Sequence, residues 1–190
     1  MQLDKKAFLA YKLLNSLFTG LSIGILFSIY EPIEDPSIYS IGGICLATGM
    51  LILAKFYDKL LNIQNFYKIS LFVEIIILLT LFIFLYFKYS LLSALLIYCG
   101  YQITFIFGSF LVRAETLVAH EKKFLGKIDI NKQIGYLIGL CFSYIFYKML
   151  EFGFEISDSK IQISILHYLL VCLQSIIMIL LIKSFRKKKD

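Results

Sequence analysis

Glu74 stands inside an otherwise apolar run, Ile69 to Phe87, six residues past Lys68. At 1.5 Å per helical residue that is roughly 9 Å along a helix. A charged side chain at membrane depth costs on the order of 3 kcal/mol unless it is paired, hydrated or neutralised. Two roles fit such a group. It can be half of a structural ion pair, with Arg113 at the end of the fourth apolar run as the expected partner. It can also be a protonation or coupling site.

Other polar side chains at membrane depth are candidates to line a cavity: Gln102, Thr104, Tyr144, His167 and Gln174. Asn15, Thr19 and Ser22 mark one further stretch. Any of these can instead bond between helices, at under about 1 kcal/mol each. His167 lies six residues from its run's outer end, where it can face water.

Several chemistries lack their residues. The chain has no G-x-S-x-G, no H-E-x-x-H and no phosphate-binding loop. His120-Glu121 is followed by Lys122-Lys123-Phe124, with no second histidine. Cys45, Cys99, Cys141 and Cys172 never form C-x-x-C and read as buried apolar residues. The expectation is no enzyme, no metal and no cofactor.

The elements that must position these residues are set by composition. The chain has 190 residues, 59% of them hydrophobic and 17% charged, and a mean hydropathy of +0.82. Soluble domains carry about 25% charged residues. Six apolar runs, about 13–30, 38–56, 69–87, 91–112, 133–150 and 161–182, are each long enough to cross a bilayer core. Their continuity excludes a β-barrel, whose strands alternate. The fold class expected is all-α, a single six-helix transmembrane domain over residues 1–190. Residues 88–90 are a short turn that makes runs three and four an antiparallel hairpin. The charged stretch 113–132 reads as a surface helix.

With the N-terminus inside, sixteen of the nineteen Lys and Arg residues fall on the cytoplasmic side. Lys88, Lys148 and Lys160 fall outside. That bias predicts both termini in the cytoplasm of a multi-pass inner-membrane protein. The first run reads as an uncleaved signal anchor. The partner implied by the +6 charge is the lipid bilayer, not nucleic acid. The tail Lys183 to Lys189 reads as an orientation-setting flank, with anionic-lipid contact as the other option.

Both prolines, Pro32 and Pro36, lie in the first outer loop, so mostly straight helices are expected. Small residues four apart, Gly20 with Gly24, Gly43 with Ala47 and Gly135 with Gly139, would let helix backbones approach closely.

The loop after the second run reads Ala54-Lys55-Phe56-Tyr57-Asp58-Lys59-Leu60. This resembles the G-x-x-x-D-[RK] motif of the major facilitator superfamily, with Ala in place of Gly and without the G-[RK]-[RK] that follows. The stretch Gly108 to Glu115, a charged loop and a glycine-containing fifth run are also similar to that family's N-terminal half. The resemblance implies a cytoplasmic gating network of Asp58, Lys59 and Arg113. It also implies two three-helix units related by an inverted repeat. Such a carrier needs two six-helix halves, and this chain supplies one. A half-size secondary transporter of a small solute, acting as a homodimer or with a second half, is therefore one expectation. A non-transporting accessory subunit that binds another membrane protein is the other.

Overall fold

A computed structural model describes residues 2–186, with side chains to Phe185. Eight helices form within it: α1 (Lys5–Ser22), α2 (Ile25–Tyr30), α3 (Pro36–Lys55), α4 (Tyr57–Leu60), α5 (Ile63–Phe87), α6 (Leu91–Ala119), α7 (Lys122–Gly153) and α8 (Ser159–Ser184). Two short strands, β1 (Gln2–Leu3) and β2 (Phe185–Arg186), pair antiparallel and tie the start of α1 to the end of α8. Of the basic tail, residues 187–190 and the Arg186 side chain lie outside the described region.

The helix starts follow local chemistry. Asp4, Asp35, Asn62, Ser90 and Asp158 each cap a helix by accepting from a backbone N–H two or three residues on. Pro36 occupies the first turn of α3, where its missing N–H costs nothing. Lys88 and His120 adopt positive φ of 48° and 56° and end α5 and α6 abruptly.

Five helices, α3 and α5 to α8, are long and apolar enough to cross a membrane. The first expected span, 13–30, is the exception. It divides at Ile23-Gly24 into α1 and α2 and is not one straight helix. Two hydroxyls bond back along α1, Thr19 Oγ1 to the Asn15 carbonyl at 3.1 Å and Ser22 Oγ to the Thr19 carbonyl at 3.4 Å. Such back-bonding bends helices, and Gly24 follows at once. The expected surface helix over 113–132 is also absent. Those residues extend α6 and α7, with only His120 and Glu121 between them. The α5–α6 hairpin forms around residues 88–90 as expected.

Packing follows a regular pattern. Helix α1 lies on α7 and α8, α6 lies on α3 and α5, and α5 packs on α8. Exchanging α1, α3 and α5 with α6, α7 and α8 carries these contacts onto one another. The α6–α7 contact has no counterpart of comparable size.

The α1–α7 crossing is backbone on backbone. A Cβ at Gly135 or Gly139 would strike the Leu13 or Leu17 carbonyl oxygen, and one at Gly20 would strike the Tyr136 carbonyl. The expected partners Gly24 and Gly43 meet nothing within 4 Å, and Ala47 is exposed. On α3 the packing glycines are Gly42, against Tyr98, and Gly49, against Ile106. The four cysteines are free and face outward rather than into the core. An aromatic cluster of Phe8, Phe66 and Phe185 closes the end of the bundle under the β ladder.

Candidate functional site

A cavity of about 430 Å³ lies among α1, α5, α6 and α7. Its walls carry Tyr11, Lys12, Asn15, Thr19, Glu74, Tyr101, Thr104, Glu115 and Lys132. The α1 members recur at helical spacing: Tyr11 and Asn15 are four apart, as are Asn15 and Thr19, so they share a face. Thr104 turns its hydroxyl back to the Tyr101 carbonyl at 2.8 Å.

Glu74 sits near the middle of α5, because that helix begins at Ile63, five residues before Lys68. It is roughly 16 Å along the axis from the helix start and, as expected, roughly 9 Å from Lys68. The side chain is 2% exposed. Tyr11 Oη donates to Oε1 at 2.7 Å and Asn15 Nδ2 to the same oxygen at 2.9 Å. Gln174 Nε2 donates to Oε2 at 2.7 Å. Three neutral donors thus hold the carboxylate, and no salt bridge reaches it among the described residues.

The expected Glu74–Arg113 pair does not form. Arg113 is exposed, with its guanidinium over the Tyr57 ring at 5.6 Å. Counted from the α5–α6 turn, Arg113 is nine residues further along its helix than Glu74, roughly 14 Å at 1.5 Å per residue.

A second buried acid, not singled out in the sequence, organises the other end of the cavity. Glu115, 2% exposed on α6, receives Lys12 from α1 on Oε2 and Lys132 from α7 on Oε1. The Lys12 ammonium also lies over the rings of Phe8 and Tyr11, at 5.3 and 5.4 Å. Asp129 stands 3.7 Å from Lys132 but is mostly exposed.

Among the cavity candidates, Thr104 lines this space and Gln174 braces Glu74 from behind. Gln102 lies instead in an apolar crevice between α3 and α6, beside Tyr98 and Cys45. His167 does not face water. It is buried and stacked on Phe84 at 3.8 Å, with Nδ1 2.8 Å from the Ile163 carbonyl. Tyr144 is 67% exposed and points away from the cavity. Asp58 and Lys59 are both exposed, on the short α4, near Arg113 only through its stacking on Tyr57.

Comparison with known proteins settles nothing further. No protein-family model, curated protein or solved structure matches this chain.

What the site can do therefore rests on its own geometry. Its walls place two carboxylates and two ammonium groups around a cavity that is otherwise lined largely by apolar side chains. A group of that kind can hold a charged solute, exchange a proton, or do both.

Proposed function

We propose that this chain is one half of a facilitator-like secondary transporter for a small solute. In this reading it resembles the N-terminal half of the major facilitator superfamily and works as a dimer. It crosses the cytoplasmic membrane six times, α1 and α2 together making the bent first span, and both termini are cytoplasmic. Glu74 is the coupling residue.

The observation that carries the reading is Glu74 itself, a buried carboxylate held by neutral donors in the wall of a cavity that also carries Lys12, Glu115 and Lys132. A group whose only purpose was structural would be expected beside a cation. The paired contacts of the two helix triplets add support, since an inverted repeat produces such a pattern. The sixteen-to-three distribution of basic residues supports the orientation. Asp58, Lys59 and Arg113 belong in this reading to a cytoplasmic lock that closes against the opposing half.

The test is reconstitution into liposomes and measurement of solute uptake, with internal pH followed by an enclosed dye, over a panel of small anions, cations, zwitterions and sugars. Wild type takes up some member, and E74Q loses the dependence of that uptake on a proton gradient. A stable monomer that takes up no member of the panel would overturn the proposal.

A second reading has one specific observation in its favour. Gly43 and Ala47 lie on an outward face of α3 with nothing packed against Gly43. Small residues on an open face suit docking of another membrane helix. An accessory subunit of this kind would co-purify with a stoichiometric foreign protein and would take up no solute alone.

A further inference from the structure

With both lysines charged, the cavity's charges balance only when both of its acids are ionised. Its lining holds four formal charges, those of Lys12, Lys132, Glu74 and Glu115. With both acids ionised these sum to zero. Glu115 takes both ammonium groups, which leaves a positive excess at that end, while Glu74 supplies the compensating negative charge from the middle of α5. If Glu74 takes up a proton, the lined space becomes net positive by one. A low-dielectric wall makes that single charge effective.

We propose that the cavity binds a small monovalent anion together with one proton, the proton entering on Glu74 and the anion being held by the Lys12 and Lys132 ammonium groups. This deepens the transport reading and rests on it. It assigns the solute to the monoanions, and it makes the coupled movement a symport.

Two features of the site support the pairing. First, both protonation states of Glu74 can be hydrogen-bonded where they stand. The Gln174 amide offers Nε2 to Glu74 Oε2, while its own Oε1 is buried and has no partner. A half-turn of that amide brings Oε1 to the carboxyl, where it accepts from a newly formed Oε2–H. The exchange gives up the 3.0 Å bond from Nε2 to the Glu74 carbonyl. Second, each ammonium has three donors, and Glu115 uses only one from each. The remaining donors can serve an incoming anion.

The charged and titratable groups around Glu74 are few. Helix α1 presents Tyr11 and Lys12, α6 presents Tyr101 and Glu115, and α7 presents Lys132. Helix α8 presents the neutral Gln174, with His167 two turns away and engaged with Phe84. Asp129 is exposed to solvent, which weakens its hold on Lys132. No other group lining the space carries a formal charge.

The experiment uses the full chain in nanodiscs of neutral lipid. Acetate, lactate, nitrate and benzoate are titrated calorimetrically from pH 5 to 8, with alanine and ethanolamine as zwitterionic and cationic controls. Proton uptake is followed with a pH indicator in weak buffer. The expected result is binding of at least one monoanion with uptake of about one proton per anion. Its affinity falls about tenfold per pH unit above the pH at which Glu74 releases its proton. E74Q mimics the protonated state, so it binds the anion with no proton uptake and no dependence on pH. K132Q, at the better-hydrated lysine, weakens the anion roughly tenfold at every pH.

Anion binding without proton uptake, or unchanged pH dependence in E74Q, overturns the proposal. Binding of ethanolamine or alanine in preference to the anions overturns the anion assignment and leaves the cavity a solute site. Binding of no monoanion overturns it too. The transport reading then falls only if no member of the wider panel is taken up either.

Discussion

Gln174 on α8 donates from one nitrogen to both the side chain and the main chain of Glu74, at 2.7 Å to Oε2 and 3.0 Å to the carbonyl. The two residues are 100 apart in sequence. That contact ties α8 to α5 at the level of the cavity. Gln174→Leu fills similar space but removes one of the three donors to a buried carboxylate. Leaving a buried acceptor short costs about 1–3 kcal/mol. A lowered melting temperature in detergent is the expected readout, and an unchanged one would mean that water replaces the amide.

Glu74→Gln separates function from structure. Glutamine has the same shape, keeps acceptors for Tyr11 and Asn15, and removes a buried charge whose desolvation is unfavourable. Melting temperature is expected to hold while proton dependence of solute movement is lost. Full activity with reduced thermal stability would make Glu74 a structural group.

Glu115 is the structural counterweight of two lysines. Glu115→Gln leaves the deeply buried Lys12 ammonium without its ion-pair partner and leaves Lys132 only the exposed Asp129. Breaking a buried pair from one side costs about 3–5 kcal/mol. Lys132→Ala costs less, since that side chain is 26% exposed. Adding Lys12→Met to Glu115→Gln is expected to recover part of the loss. Equilibrium unfolding in mixed micelles checks all three.

The α1–α7 crossing predicts a contrast between glycines. Gly139→Ala puts a methyl against the Leu17 carbonyl and 3.0 Å from the Gly20 Cα, so the helices must separate. Overpacking of this sort costs about 1–3 kcal/mol. Gly43→Ala meets nothing within 4 Å and gains helix propensity of up to about 1 kcal/mol. If α3 is a dimer face, however, Ala47→Cys in a cysteine-free background crosslinks copies of the chain, and the gain at Gly43 disappears.

The ion pair between Lys5 and Glu121 lies outside the spans and can report on pH. Lys5 Nζ donates to Glu121 Oε1 at 2.9 Å, and that hydrogen bond holds the Glu121 carboxyl below its usual range. A depressed acid stabilises the fold above its unfolded pKa and loses that contribution as pH falls through the folded value. The exposed pair contributes little at neutral pH. Amide exchange at the start of α1 and α7 is expected to quicken only below about pH 4.

The sequence alone determined the coarse architecture. Runs of about twenty apolar residues can satisfy their backbone in lipid only as helices, and their ends are marked by charge. Glu74 was legible for the same reason, because one acid in an apolar run has no inexpensive explanation. Gly135 and Gly139 were legible as packing glycines from their spacing. Gly24, Gly43 and Ala47 share that spacing and pack on nothing, because a spacing names a helix face without saying which neighbour it meets.

The site needed the tertiary structure. Lys12 and Lys132 read as cytoplasmic flanking charges, and Glu115 lies two residues past an arginine at the end of a span. Nothing local separates such residues from ordinary interface charges. They become a buried cluster because α6 and α7 run on past their apolar cores and glycines bring α1 against α7. Arg113 and Glu74 looked like partners in depth, yet α5 and α6 extend well past their apolar runs, and from their shared turn Arg113 lies nine residues further along than Glu74. Apolar length and charge are one-dimensional properties that a sequence carries directly. Which faces of the helices meet depends on packing between residues more than a hundred positions apart, and only the folded bundle decides that.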